Sequence, residues 1–135
     1  MLVVDTNVVS ELLRERPDRN VLRWATSLQV TPRTTVIAHA ELVAGASMLP
    51  AGRRRQRLED GINRLIGSGN ACLPLTCDAA HEYAWIRHTR KRTGRPIAGF
   101  DALIAAIVRV HDAQLATRNI KDFEGLDIPL INPWH

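Results

Sequence analysis

Near its N-terminus the chain reads Leu2-Val3-Val4-Asp5-Thr6-Asn7-Val8-Val9. The short β-branched run at 2–4 is typical of a buried strand. The three polar residues at 5–7 are types that cap helices, and the apolar pattern that follows them is helical. We therefore predict a buried strand that passes directly into a helix.

Outside this stretch, short apolar runs alternate with longer helical patterns, without an internal repeat or linker. This alternation is typical of βαβ units, so we predict an α/β fold. It would be an αβα sandwich with a short central parallel sheet, richer in helix than in strand. A strand and turn are predicted at 30–36, and further strands at 72–75, 114–117 and 129–131. Helices are predicted around 21–25 and at 37–48, 53–66, 79–92 and 100–110, with a turn over 67–70.

Length and composition favour an ordinary globular protein. We expect 135 residues to form one domain over 1–135. No apolar run is long enough for a membrane span and no secretory signal opens the chain, so a cytoplasmic protein without membrane contact is expected. Cys72 and Cys77 lack partners at zinc-site spacing and are interpreted as reduced thiols.

The net charge is +4, and the lysines are Lys91 and Lys121 alone, so arginine carries nearly all of the positive charge. Arginine suits phosphate recognition, although genome base composition explains the bias equally well. Two basic clusters, 53–57 and 87–92, are candidates for phosphate contact. The alternatives are a solvated helix face for the first cluster and a favourable interaction with the helix dipole for the second.

Two acids stand at the ends of predicted elements. Asp5 follows the first strand, and ligands bind at the carboxyl ends of strands in open parallel sheets. Asp101 opens the helix over 100–110, where apolar residues share its face, so we expect it at the edge of the core. Both acids have an alternative interpretation as helix caps.

A third acid, Glu41, lies in a helix that is apolar almost all round. A buried carboxylate is costly unless it is paired with a cation or hydrogen-bonded. A salt bridge to an arginine therefore remains the alternative to a metal site. Glu41 shares its face, which we expect to point inward, with Ile37, Ala44 and Met48, and Ala40 lies along the same side.

The predicted strand at 114–117 adds polar groups to the same sheet edge. Thr117 and Asn119 stand at its end, and Asp122 follows within reach. Acids that converge at one point would repel each other unless a cation lay between them. An all-oxygen set favours Mg²⁺ or Mn²⁺ over zinc. His39 lies two residues from Glu41 and off its face, and is interpreted as a surface or partly packed residue.

A nucleotide-binding protein is disfavoured, because no glycine-rich loop follows the first strand.

Four stretches carry a further signal, in the order Val3–Leu12, Ala40–Gly45, Phe100–Ala105 and Ala116–Phe123. Together they resemble the motifs of PIN-domain proteins, with greatest similarity to the VapC and FitB toxins of bacterial toxin–antitoxin pairs. The resemblance covers the whole chain.

The resemblance implies a magnesium-dependent endoribonuclease that hydrolyses RNA phosphodiester bonds, with Mn²⁺ as a substitute. Asp5, Glu41 and Asp101 match the catalytic, metal-binding acids. Asn119 stands where many relatives carry an aspartate, so Asn119 and Asp122 are further candidate metal ligands, for one ion or two. Thr6 and Thr117 match the polar positions that orient the carboxylates.

The resemblance also implies partners. These are an RNA substrate, a second copy of the chain in a homodimer, and a VapB-like antitoxin that lies in a groove and blocks the acidic pocket. DNA would be contacted only through the antitoxin. The alternative function is a catalytically weak subunit of a DNA-binding toxin–antitoxin repressor complex, which the neutral Asn119 favours.

Overall fold

A computed structural model of the chain describes residues 1–67 and 69–135. The predicted N-terminal strand–helix pair is confirmed, with β1 at Leu2–Val4, an extended Asp5 and α1 at Thr6–Leu12. Ser68, in the turn predicted over 67–70, lies outside the described residues. The other elements are α2 (Arg19–Ser27), β2 (Thr34–Thr35), α3 (Val36–Ser47), α4 (Arg53–Ile66), β3 (Cys72–Leu73), α5 (Ala79–Arg92), α6 (Gly99–Val110), β4 (Gln114–Ala116) and β5 (Leu130–Ile131).

All strand pairs in the described chain are parallel. β1 pairs with β4, β4 with β5, and β2 with β3. The backbone of Arg33 joins the two ladders, since Val4 N donates to Arg33 O at 2.7 Å and Arg33 N donates to Leu2 O at 2.9 Å. The strand order is therefore β3-β2-β1-β4-β5, and the carboxyl ends of the strands lie along one edge.

The sheet separates two apolar layers, as the alternation of side chains along a strand requires. Val3 and Leu115 pack in the layer that contains α5 and α6. Leu2, Val4 and Ala116 pack on the opposite side against α1, α3 and α4. The predicted αβα sandwich with a short parallel sheet is confirmed.

The four strands after β1 are shorter than predicted, β4 and β5 by one residue each. β2 and β3 contain two residues each, whereas the sequence pattern predicted a strand and turn over 30–36 and a strand over 72–75. Pro74 directly follows β3, and proline has no N–H to donate to a ladder. Backbone chemistry therefore ends this strand earlier than its apolar pattern indicates.

The predicted inward face of α3 was wrong. The buried residues of this helix are Ala38, Leu42 and Ala46, whereas Ala40 and Ala44 are exposed and Met48 is 83% exposed. A helix that is apolar all round carries no amphipathic pattern from which a face can be chosen. Glu41 consequently lies half-buried on the flank of the helix, not within its core stripe.

The longest helices of the described chain, α4 and α5, each contain 14 residues. None of the helices in 1–67 or 69–135 is long and apolar enough to span a bilayer. Cys72 and Cys77 are free thiols, the first half-buried in β3 and the second exposed.

Candidate active site

Asp5 and Thr117 lie side by side at the carboxyl edge of the sheet. The register of β1 and β4 pairs Val4 with Ala116, and Asp5 N donates to Ala116 O at 2.9 Å. The Thr117 hydroxyl donates to Asp5 Oδ2 at 2.9 Å and accepts from Asn119 N at 3.1 Å. Because Asp5 is only 5% exposed, water has little access to its carboxylate, and the Thr117 hydroxyl serves as a hydrogen-bond donor instead.

Thr6 connects two of the predicted site acids. Its backbone N–H donates to Asp5 Oδ1 at 2.7 Å, and its hydroxyl donates to Glu41 Oε1 at 2.8 Å. Asp5 therefore does cap α1, and the cap also fixes the carboxylate at the sheet edge. Within the described residues Glu41 takes part in no ion pair, so the salt bridge considered from the sequence is absent there.

Asp101 does not cap its helix. Because α6 begins at Gly99, Asp101 lies in the first turn, and no side chain makes a cap hydrogen bond at this helix end. Instead, Asp101 and Asp122 line a cleft of about 250 Å³ together with Arg90 and residues 96–98. Asn119 is exposed and does not line this cleft.

Two of these acids, Asp5 and Asp101, have raised pKa values. Burial, together with the charges of Asp5, Asp122 and Glu41, raises the pKa of Asp101 to about 6, and the charge of Arg90 opposes this rise. Burial also raises the pKa of Asp5, an effect that the bonds from Thr117 and Thr6 oppose. Carboxylates with raised pKa values beside other acids are typical of a site where a bound cation would offset the charge repulsion.

The donor set fits a hard divalent cation, because it consists of carboxylate, amide and hydroxyl oxygens under mutual charge repulsion. The side chains are not gathered into a finished ligand sphere. In the parts of the chain that the structure describes, no three acidic, histidine or cysteine side chains lie close enough to hold one ion together. A bound ion would therefore have to draw these groups together or use water as additional ligands.

Arg90 has a role that its sequence position did not reveal. It was grouped with the basic cluster 87–92, but it is 5% exposed and its guanidinium donates to backbone carbonyls. The acceptors are Arg95 O at 2.7 Å, Asp122 O at 2.6 Å, Glu124 O at 3.3 Å and Lys121 O at 3.4 Å. Arg90 therefore holds the segment that carries Asp122, and is not free to contact a ligand phosphate.

The other members of that cluster remain on the surface. Arg87, His88 and Lys91 line a cleft of about 600 Å³ with Pro96 and Ile97. In the 53–57 cluster, Arg55 pairs with Glu59 at 2.7 Å and Arg57 lies 3.9 Å from Glu15, which agrees with a solvated helix face.

A parallel αβα sandwich with acids along the carboxyl edge of its sheet is the class of protein that this structure defines. The sequence profile of the PIN domain matches residues 2–128, and the chain belongs to the PIN-domain family.

Named relatives cover nearly the whole chain. The VapC ribonuclease Y4jK of Sinorhizobium fredii is 38% identical, over 99% of this chain and 98% of the relative. Toxin FitB of Neisseria gonorrhoeae is 36% identical, over 100% and 99%. A solved structure of FitAB bound to an IR36 DNA fragment superposes with a TM-score of 0.90 at 35% identity, over 100% of this chain and 96% of that one.

Proposed function

We propose that this chain is a divalent-metal-dependent endoribonuclease and the toxin of a toxin–antitoxin pair. The observations that carry the proposal are two pairs of acids at the sheet edge and beside it. Thr6 links Asp5 to Glu41 by hydrogen bonds, and Asp101 lines a cleft with Asp122. Relatives named as a VapC ribonuclease and a FitB toxin support the same function.

In this proposal Asp5 and Asp101 are the main metal ligands, with Mg²⁺ as the ion and Mn²⁺ as its substitute. Asp122, which lines the cleft with Asp101, is a further ligand, and Asn119 is a candidate for a second metal position. When bound, such a cation activates water and neutralises the charge that develops on the phosphate. Thr117 and Thr6 hold the Asp5 carboxylate through its two oxygens. Because Thr6 engages Oε1 of Glu41, Oε2 can orient the attacking water or accept its proton.

The test is cleavage of RNA by the purified protein. We expect cleavage with Mg²⁺ or Mn²⁺, none in excess chelator, and recovery when the metal is restored. Asp5→Ala, purified in parallel, controls for a contaminating nuclease. Undiminished cleavage in chelator by wild type, absent from the Asp5→Ala preparation, would exclude the metal mechanism.

An antitoxin partner is part of the proposal. A groove of about 360 Å³ runs between α1, α3 and α4. Its lining includes three leucines, three arginines and one acid, namely Leu13, Leu49, Leu58, Arg14, Arg54, Arg57 and Glu15. Leucines flanked by arginines suit a helix with apolar and acidic residues. We propose that a VapB-like antitoxin occupies this groove, and that the pair acts in the cytoplasm, where its RNA substrate is found.

A homodimer is the second proposed assembly. Val36, Ala40 and Val43 form an exposed apolar stripe on α3, and Phe100 of the neighbouring α6 is 59% exposed. An exposed apolar helix stripe of this kind is typical of an interface between copies, and a two-fold axis would bury it in both at once.

The rival function is a catalytically weak subunit of a DNA-bound repressor complex, with DNA contacted through the antitoxin. The solved FitAB complex with DNA and the neutral Asn119 favour it. Metal-stimulated RNA cleavage that Asp5→Ala abolishes would decide for the ribonuclease, whereas a well-folded wild type without cleavage would decide for the repressor subunit.

A further inference from the structure

The basic cleft on α5 and the acidic cleft beside Asp101 share a wall. Pro96 and Ile97 line both clefts, with Arg87, His88 and Lys91 on one side and Asp101 and Asp122 on the other. A ligand that leaves the acidic cleft over this wall therefore enters the basic cleft directly.

The charges of the two clefts are opposite. No carboxylate lines the basic cleft within the described chain, and Arg87 and Lys91 are exposed. Two contacts hold the Arg87 side chain in place. Its Nη1 donates to Ile97 O at 3.1 Å, and its guanidinium lies 5.8 Å from the centre of the Tyr83 ring. A cation fixed in this way can meet a phosphate with little loss of side-chain freedom.

A polyanion needs such a surface here. The acids that would hold a metal repel phosphates, so the metal site alone binds RNA weakly when the ion is absent or loosely held. Positive side chains next to the site offset that repulsion and release counterions from the nucleic acid. The basic cleft supplies such side chains, because it adjoins the acidic cleft through their common wall.

We propose that Arg87, His88 and Lys91 form the binding cleft for the RNA phosphates next to the cleaved bond. This inference rests on the proposed ribonuclease function and names where its substrate lies. Because Arg87 and Lys91 would contact phosphates, which are the same at every nucleotide, their contribution to binding is independent of RNA sequence.

The test compares two variants that lose the same charge. Arg87→Gln/Lys91→Gln removes two cations from the cleft. Arg53→Gln/Arg64→Gln removes two exposed arginines from α4, and neither of these lines the two clefts or takes part in an ion pair of the described chain. The probe is a fluorescein-labelled single-stranded RNA, titrated at several salt concentrations in an Asp5→Asn background that stops cleavage.

We expect the cleft variant to bind this RNA roughly tenfold more weakly at about 0.15 M salt. The plot of log affinity against log salt concentration should become less steep by about 1.4, because two phosphate contacts are lost. The α4 variant keeps the slope within experimental error. In proteins with an intact Asp5, the cleft variant raises KM and leaves kcat close to wild type, because the lost contacts bind the substrate and its transition state equally.

Equal affinities and salt slopes for the two double variants would overturn the proposal. If the loss of the Arg87–Ile97 contact lowers the melting temperature, Lys91→Gln alone carries the test, with an expected slope change of about 0.7. Wild type without metal-dependent cleavage would instead contradict the proposed function, and that result is read from a separate assay.

Discussion

Asp101 shows how a single residue can have an environment that its position in a helix does not indicate. First-turn acids usually gain from the helix dipole and from exposed N–H groups. Asp101 makes no cap bond and faces a cleft with Asp122, and burial and neighbouring charges raise its pKa to about 6. Its charge therefore opposes folding until a cation binds.

Asp101→Asn is expected to abolish cleavage and to stabilise the metal-free protein at neutral pH. The folded pKa of Asp101, about 6, exceeds its ordinary value of 3.8, so the folded state holds the proton more tightly. Wild-type stability from this group is present below 3.8 and is lost as the pH rises through 6. After allowance for solvent screening, we expect a gain of about 1 kcal/mol at pH 7.5 that disappears near pH 4.

Thermal unfolding in chelator, with wild type and Asp101→Asn followed across this pH range, checks the prediction. Asp78→Asn serves as the comparison, since Asp78 is exposed, lies outside the acidic cleft and makes no side-chain cap hydrogen bond. A lower melting temperature for Asp101→Asn at pH 7.5 would show that the carboxylate is structural.

Asn119 and Asp122 differ in what the structure gives them. Asp122 lines the cleft with Asp101, whereas Asn119 is an exposed amide beside Thr117. We therefore expect Asp122→Asn to shift the Mn²⁺ dependence of cleavage to higher concentration, because a charged oxygen is lost. Asn119→Asp should tighten metal binding if a second position is available, and weaken it if repulsion by Asp122 dominates. If neither variant changes the Mn²⁺ dependence, the fourth motif is only a structural turn.

At the scale of elements, the segment after β4 is held by α5 and not by its own secondary structure. Its secondary structure is a single 3₁₀ turn, Ile120–Asp122. The carbonyl oxygens of Lys121, Asp122 and Glu124 all accept hydrogen bonds from the Arg90 guanidinium. Arg95 adds a bond to Lys121 O at 2.9 Å and an ion pair with Glu124 at 3.1 Å. The position of Asp122 therefore depends on α5 and on the loop that follows it.

Arg90→Met is expected to cost about 3 kcal/mol of unfolding free energy, because several carbonyls lose a charged donor at once. In the fraction that folds, the Mn²⁺ dependence of cleavage should move to higher concentration as Asp122 loses its fixed position. Arg90→Lys should recover part of both losses. Arg92→Met removes the same charge from an exposed site on α5 and serves as the control.

Chemical denaturation followed by metal titration provides both measurements. An Arg90→Met protein that is destabilised but has an unchanged Mn²⁺ dependence would show that Arg90 supports the fold without positioning the site.

At the scale of the whole molecule, the exposed stripe on α3 tests the proposed homodimer. Val43 is 49% exposed, and Leu65 on α4 is 48% exposed, so the two residues form a matched pair. Val43→Lys should convert a dimer to a monomer because a charge would be buried at the interface, whereas Leu65→Lys should not. Sedimentation analysis of the two variants and wild type checks this prediction. The same assembly state in both variants would place any interface elsewhere.

Much of the fold follows from local patterns in the sequence. The buried run 2–4, the capping residues after it and the alternation of strands with helices predicted the parallel αβα sandwich, because periodicity reports which side chains avoid water. The order of four motifs indicated the PIN family and its acidic residues, and the register of β1 with β4 then brought Asp5 next to Thr117.

Tertiary packing determined the rest. The inward face of α3, the Thr6–Glu41 hydrogen bond across 35 positions and the burial of Arg90 against carbonyls more than 30 positions away depend on contacts between distant segments. A helix that is apolar almost all round could bury any of several faces. The sequence also does not distinguish an arginine exposed to solvent from one buried beneath a loop. The cost of leaving a buried charge or carbonyl unpaired selects among these arrangements, and that cost arises only once the segments have packed together.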